Sequence, residues 1–170
     1  LYVARAELYL RYPFDDTMRL FSDDNTTRLH YFASRRVAYC EGTYYYRQHP
    51  KSMTNSHSLL RFDYLEANLS MRRWLDRIGA SHDDVMLYES HRWLNYIGML
   101  WYQHQHHFPA DVVEPRFQSI YRTFRSSDIP ISTRRKFGYI YFRSYKLFRL
   151  QEWLYFSLRS LVRLASGAPL

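Results

Sequence analysis

Apolar residues recur in helical period along almost the whole chain, most densely in its last third. From Ser132 to Ser166 no proline intervenes. Phe137, Ile140, Tyr141, Phe148, Tyr155, Leu158 and Val162 return there at three- and four-residue steps, which predicts one long helix with an apolar face. The opposite face interleaves Arg135, Lys146 and Arg149 with Phe142, Trp153 and Leu164. A helix written this way has two partners to satisfy, its own fold and a surface outside it. Thirty-odd residues would reach roughly 50 Å, longer than a domain of this size is wide. The helix is therefore expected to project or to lie along a surface, unless a kink near Gly138 or Ser144 shortens it.

Upstream, punctuation by proline, glycine and capping residues divides the chain. Leu1 to Tyr12 is apolar and stops at Pro13, a short helix or docking strand. Asp24 or Asn25 is placed to cap a helix running to about Arg47, with Leu29, Phe32, Val37, Cys40 and Tyr44 on one side and His49-Pro50 as its stop. Ser56 or Ser58 opens an amphipathic helix through Leu59, Phe62, Leu65, Leu69, Leu75 and Ile78, which Gly79 ends in a left-handed cap. Ser81 and Asp84 form a capping-box-like start for a helix through Trp93, Ile97 and Leu100 to about His107, before Pro109. Asp111 or Glu114 with Pro115 begins another, carrying Phe117, Ile120, Tyr121 and Phe124. Pro130 breaks the chain and Ser132 caps the last helix. Strand signals are poor. The pattern predicts an all-α fold of about five helices in an irregular bundle, a single domain over 1–170 with a long C-terminal helix over 132–166.

Charge changes this picture, because it is lopsided. The formal net charge is +8, and residues 116–163 hold eleven Lys or Arg against only Asp128 and Glu152. A one-sided basic field points to an anionic partner: nucleic acid, acidic lipid or an acidic protein surface. Arginine outnumbers lysine 21 to 3 and tyrosine reaches 17, a pairing suited to interfaces and lipid headgroups, although GC-rich coding also raises arginine. The single cysteine, Cys40, excludes an internal disulfide framework and is expected to be a buried, inert thiol on its helix. The chain opens at Leu1, which suggests processing, and a removed targeting segment would imply an organelle address. No stretch reaches the roughly 18 apolar residues of a conventional membrane span.

Candidate chemistry is thin. Among His91, His104, His106 and His107 only His104 and His107 have ligand spacing on one helical face, and a polar helix end explains them without a metal. Ser81-His82-Asp83-Asp84 has catalytic residue types in a row, but adjacent residues at a helix start diverge, and capping accounts for them. Five scattered glycines make no phosphate-cradling loop. No catalytic, cofactor-binding or metal-binding residue is nominated. The candidate contact surface is Arg135, Phe142, Lys146, Arg149 and Trp153, expected to meet an anionic lipid headgroup or an acidic partner helix.

In general character the chain is similar to lineage-specific accessory subunits of mitochondrial inner-membrane complexes, the ATP synthase or the respiratory chain. The shared features are a small, basic, Tyr- and Arg-rich helical chain, no catalytic motif and a long surface helix such as Ser132–Ser166. The resemblance implies a non-catalytic structural subunit at the inner membrane, contacting other subunits and an anionic lipid such as cardiolipin without crossing the bilayer. A mitochondrial ribosomal protein contacting rRNA shares the look. Its usual Lys/Arg-rich unstructured tails are replaced here by an aromatic helix, and Arg134-Arg135-Lys136 is the only cationic triplet.

Overall fold

The computed structural model describes residues 2–16, 18–45, 57–136, 140–141 and 143–165, apart from the side chain of Leu164. Every regular element among them is helical, so the fold is all-α. The helices are α1 (Ala6–Arg11), α2 (Ser22–Ala33), α3 (Asp63–Arg77), α4 (His82–His106), α5 (Ala110–Tyr121), α6 (Ile131–Arg135) and α7 (Tyr145–Ala165). The chain divides into two compact units, Leu1–Met71 and Arg72–Leu170, with the boundary inside α3.

Local chemistry explains most of the element ends. Ser58 accepts the Leu60 amide and starts a 3-10 turn, Leu59–Phe62, that leads directly into α3. Gly79 takes φ +64°, a left-handed conformation that closes the end of α3, while Ala80 donates to the Leu75 carbonyl. Ser81 then caps α4: its hydroxyl accepts the Asp84 amide at 3.2 Å and donates to the Asp84 carboxylate at 2.6 Å. At the other end His107 is left-handed, φ 51°, and its amide donates to the Gln103 carbonyl. The α5 helix begins at Ala110 behind Pro109, so Pro115 lies inside it rather than at its first turn.

In the first unit a histidine is the organising residue. His30 is fully buried; its Nε2 donates to the Tyr12 carbonyl at 2.9 Å, which leaves Nδ1 to accept from the Tyr2 hydroxyl at 2.9 Å. Tyr9 stands edge-on to the same ring at 4.5 Å. Asn25 ties α2 to α3 through Nδ2 and the Ala67 carbonyl at 2.8 Å.

The second unit is built on an aromatic core. Trp93 and Tyr96 of α4 and Phe117, Ile120 and Tyr121 of α5 are buried with Phe124, Ile129 and Phe148. Phe148 lies 5.5 Å from Trp93 and 4.7 Å from Tyr121, ring to ring, and Phe156 lies 4.9 Å from Trp101. These contacts make α7 run alongside α4 in the same direction. Among the described residues the buried Trp93 indole N–H meets no hydrogen-bond partner. One ionic cluster is also interior: Glu89 accepts two bonds from Arg92, both 2.8 Å, and pairs with Arg72 at 3.1 Å. The Arg92 guanidinium additionally donates to Thr123 Oγ1 at 2.7 Å and stacks 3.9 Å over the Phe124 ring.

Several expectations are corrected. The helix expected over 132–166 is interrupted: α6 ends at Arg135, residues 140–141 and 143–144 are not helical, and only α7 continues. Nor does Ser132 cap α6, whose N-cap is Pro130 without a side-chain bond. The interruption lets the Tyr141 hydroxyl donate to the Phe124 carbonyl and brings its ring into the core. The helix expected to reach Arg47 stops at Ala33, where Ser34 turns extended and its hydroxyl bonds the His30 carbonyl. Its cap is Phe21 in a left-handed conformation, not Asp24 or Asn25. Beyond it β-branched and glycine residues favour no helix, and Cys40 is exposed instead of buried.

Candidate functional site

The five nominated contact residues do not form one outward patch. Arg135 closes the short α6 and is exposed. Phe142 lies outside the described residues. Lys146 and Trp153 are exposed on α7. Arg149 is turned inward. Its Nε and Nη2 donate to the two oxygens of Glu114 at 3.1 and 3.0 Å, and its Nη1 donates to Glu152, so one guanidinium is clamped by two carboxylates. The Tyr145 hydroxyl adds a 2.7 Å bond to Glu114.

This assignment shifts the faces of α7: Phe148 is buried and Lys146 and Trp153 are exposed, as expected, but Arg149 turns inward and Leu158 and Val162 turn outward. At about 100° per residue, Tyr145, Phe148, Arg149, Glu152, Phe156, Arg159 and Arg163 share one half of the helix wheel. Phe148, Glu152 and Phe156 on that half are buried, and Arg159 lies 4.8 Å over the Trp101 ring. Arg149, Glu152 and Arg159 of α7 thus face the protein. On the other half stand Leu147, Leu150, Leu154, Leu158 and Leu161, each between 49% and 63% exposed, with Val162 beside them. Leu158 and Val162, expected in the core, are therefore outside, as is Ile140; Tyr155 and Tyr141 are half-buried, and Phe137 lies outside the described residues.

The leucine stripe has no carboxylate in it, because Glu152, the only acid of α7, is buried. Its edges carry Lys146, Trp153 and Ser157 on one side and Gln151 and Tyr155 on the other. Burying a leucine fully stabilises by about 1.5–3 kcal/mol, so five half-exposed ones leave on the order of 5 kcal/mol unrealised. Scattered surface leucines need no explanation, but a contiguous stripe marks a contact surface.

Behind the Trp153 edge lies a pocket of about 340 Å³ whose polar lining is Gln103, His104, His107, Glu114, Arg149 and Glu152. Burial pushes the Glu152 carboxyl up to about 7, against the pull of Arg149 and with a further push from Glu114. Burial penalises the charged carboxylate most; the one guanidinium that could offset this is shared with Glu114, and a proton on Glu152 leaves the cluster neutral. His104 is held below the usual imidazole value by burial, then by His107 and Arg149. Ser160 Oγ lies 3.4 Å from His104 Nε2, a marginal bond. Among the described residues no carboxylate bonds the other ring nitrogen, and no group of three or more His, Cys, Asp or Glu could hold a metal ion.

Sequence reasoning missed Glu114, Glu152 and the inward turn of Arg149. The spacing Arg149/Glu152, three residues apart on a helix, was the available signal for an internal pair. Comparison with protein-family models, curated proteins and solved structures gives no match.

Proposed function

We propose that this chain is a non-catalytic accessory subunit that docks into a larger membrane-associated assembly through the outward face of α7. Its contribution is to the stability of that assembly and to contacts within it. The observation that carries this reading is the leucine stripe, Leu147 to Leu161, on a helix whose Arg149 and Arg159 are spent inward on Glu114, Glu152 and Trp101. An isolated protein gains nothing from that inversion, whereas a subunit buries the leucines on assembly. The first unit adds exposed Val3, Leu10 and Phe32, again apolar surface to be covered.

The similarity in composition to accessory subunits of mitochondrial inner-membrane complexes supports placing the assembly there, in the ATP synthase or the respiratory chain. None of the described helices is long and apolar enough to cross a membrane, which fits a subunit seated against the assembly or the bilayer surface. Isolation of the tagged chain after gentle detergent extraction tests the proposal. Co-purification with membrane-complex subunits is the expected result. Recovery of the chain alone at 20.8 kDa would overturn it, and recovery with ribosomal RNA would replace it with the ribosomal reading.

A further inference from the structure

We propose that the occupant of the α7 stripe is the surface of an anionic lipid bilayer, in which α7 lies parallel to the membrane plane. The inference rests on the docking reading above and names what the stripe docks on. The leucines from Leu147 to Leu161 span about 21 Å along one line of the helix, so they enter a flat medium together. Trp153 lies on one edge of that line with Lys146, the arrangement in which an indole and an ammonium sit at headgroup level while aliphatic side chains go deeper.

Charge selects the bilayer over a second copy of the chain. Arg135, Lys136 and Arg143 lie exposed just ahead of α7, Lys146 follows in its first turn, and no carboxylate of α7 faces outward. An anionic headgroup layer complements that field. A second copy would bring two chains of charge +8 together, basic end against basic end or along their length. A bilayer demands no matching partner surface, and none of the helices among the described residues is long and apolar enough to cross it.

Vesicle sedimentation of the full 170-residue chain provides the test. Vesicles of phosphatidylcholine alone are compared with vesicles that also contain phosphatidylglycerol, at low and high salt. The expected preference for the anionic vesicles is at least about tenfold, the shift that two basic side chains near a charged surface produce, and it declines as salt rises. The Leu150→Gln/Leu158→Gln variant should lose binding to both vesicles with unchanged helix content, because both positions are outside the core. The Arg143→Gln/Lys146→Gln variant should lose only the anionic preference. Trp153 should shift to shorter emission wavelength on vesicles, read as the difference from Trp153→Phe.

Failure to bind either vesicle, or binding indifferent to the leucine substitutions, overturns the proposal. If in addition the wild-type chain self-associates or binds a protein partner and the leucine variant does not, the docking reading survives with a protein as occupant. If the wild-type chain is a monomer with no partner of any kind, both readings fail together.

Discussion

Replacing Glu152 by glutamine should change how stability depends on pH, and the structure sets both the sign and the size. In the folded chain burial holds this carboxyl near 7, whereas its ordinary value is 4.5. Between those two values the folded state keeps a proton that the unfolded state has released. Stability from this group is therefore fully present below about 4.5 and is lost as pH rises through about 7. A difference of that size corresponds to about 3 kcal/mol at most, at 1.36 kcal/mol per pH unit. Glutamine keeps the shape of the protonated carboxyl and cannot ionise, so the variant lacks this group's contribution in that window. His104 works in the opposite direction, since its depressed value means stability is lost as pH falls. Subtracting the variant from the wild type cancels it. All four tryptophans, Trp74, Trp93, Trp101 and Trp153, lie in the second unit, so urea unfolding followed by tryptophan fluorescence reads that unit selectively. The wild-type minus variant stability should fall by one to three kcal/mol, in round terms about 2, from pH 5 to pH 8. A flat difference, or one that rises with pH, would mean that Glu152 ionises normally beside Arg149 and that the shared-guanidinium argument is wrong.

Other expectations follow from the same contacts. Phe148→Ala should cost about 3–5 kcal/mol while Leu150→Ala, two positions along the same helix, should cost within about 0.5, and equal costs in urea unfolding would mean the faces of α7 are assigned wrongly. Arg92→Ala leaves Glu89 buried with only Arg72 against it and should destabilise by about 3–5 kcal/mol; the Glu89→Gln/Arg92→Met double variant should recover most of that, and a single-variant loss below about 1 would contradict the buried-pair account. Ser81→Ala should cost about 1 kcal/mol and Ser81→Asp little, measured by thermal unfolding, with no effect from alanine refuting the cap.

How much of this was legible in the sequence depended on which force decided each element. Where local chemistry decided, the reading held: Ser58, Gly79 and Ser81 stand at the element ends where their side chains or backbone freedom put them. The core of Trp93, Ile97, Leu100, Phe117, Ile120 and Phe124 followed from helical period. The reading went astray where a helix is apolar nearly all the way round. In α7 hydropathy alone cannot tell the leucine half from the half with Phe148 and Phe156. The choice is made by tertiary partners, the rings of Trp93, Tyr121 and Trp101 and the carboxylate of Glu114, all far away in sequence. The same limit applies to the contact site. Arg149 looks like an outward cation because it alternates with aromatics, and it is turned inward by Glu152, three residues on, together with Glu114, 35 residues away. Short-range pattern was equally silent on His30, whose two partners come from Tyr2 and Tyr12.

The central claim is that the outward face of α7 is covered when the chain is in its native setting. Cys40 is the single cysteine, so a Cys40→Ser background allows one thiol to be placed at will. Leu154→Cys sets it in the middle of the stripe, and Leu87→Cys, on an exposed part of α4, serves as the reference. Labelling by a membrane-impermeant, water-soluble maleimide is then compared between the purified chain and the chain in gently opened native membranes. The account predicts equal, rapid labelling of both positions in the purified chain. In native membranes it predicts protection of Leu154→Cys alone. Equal labelling of the two positions in native membranes would contradict it.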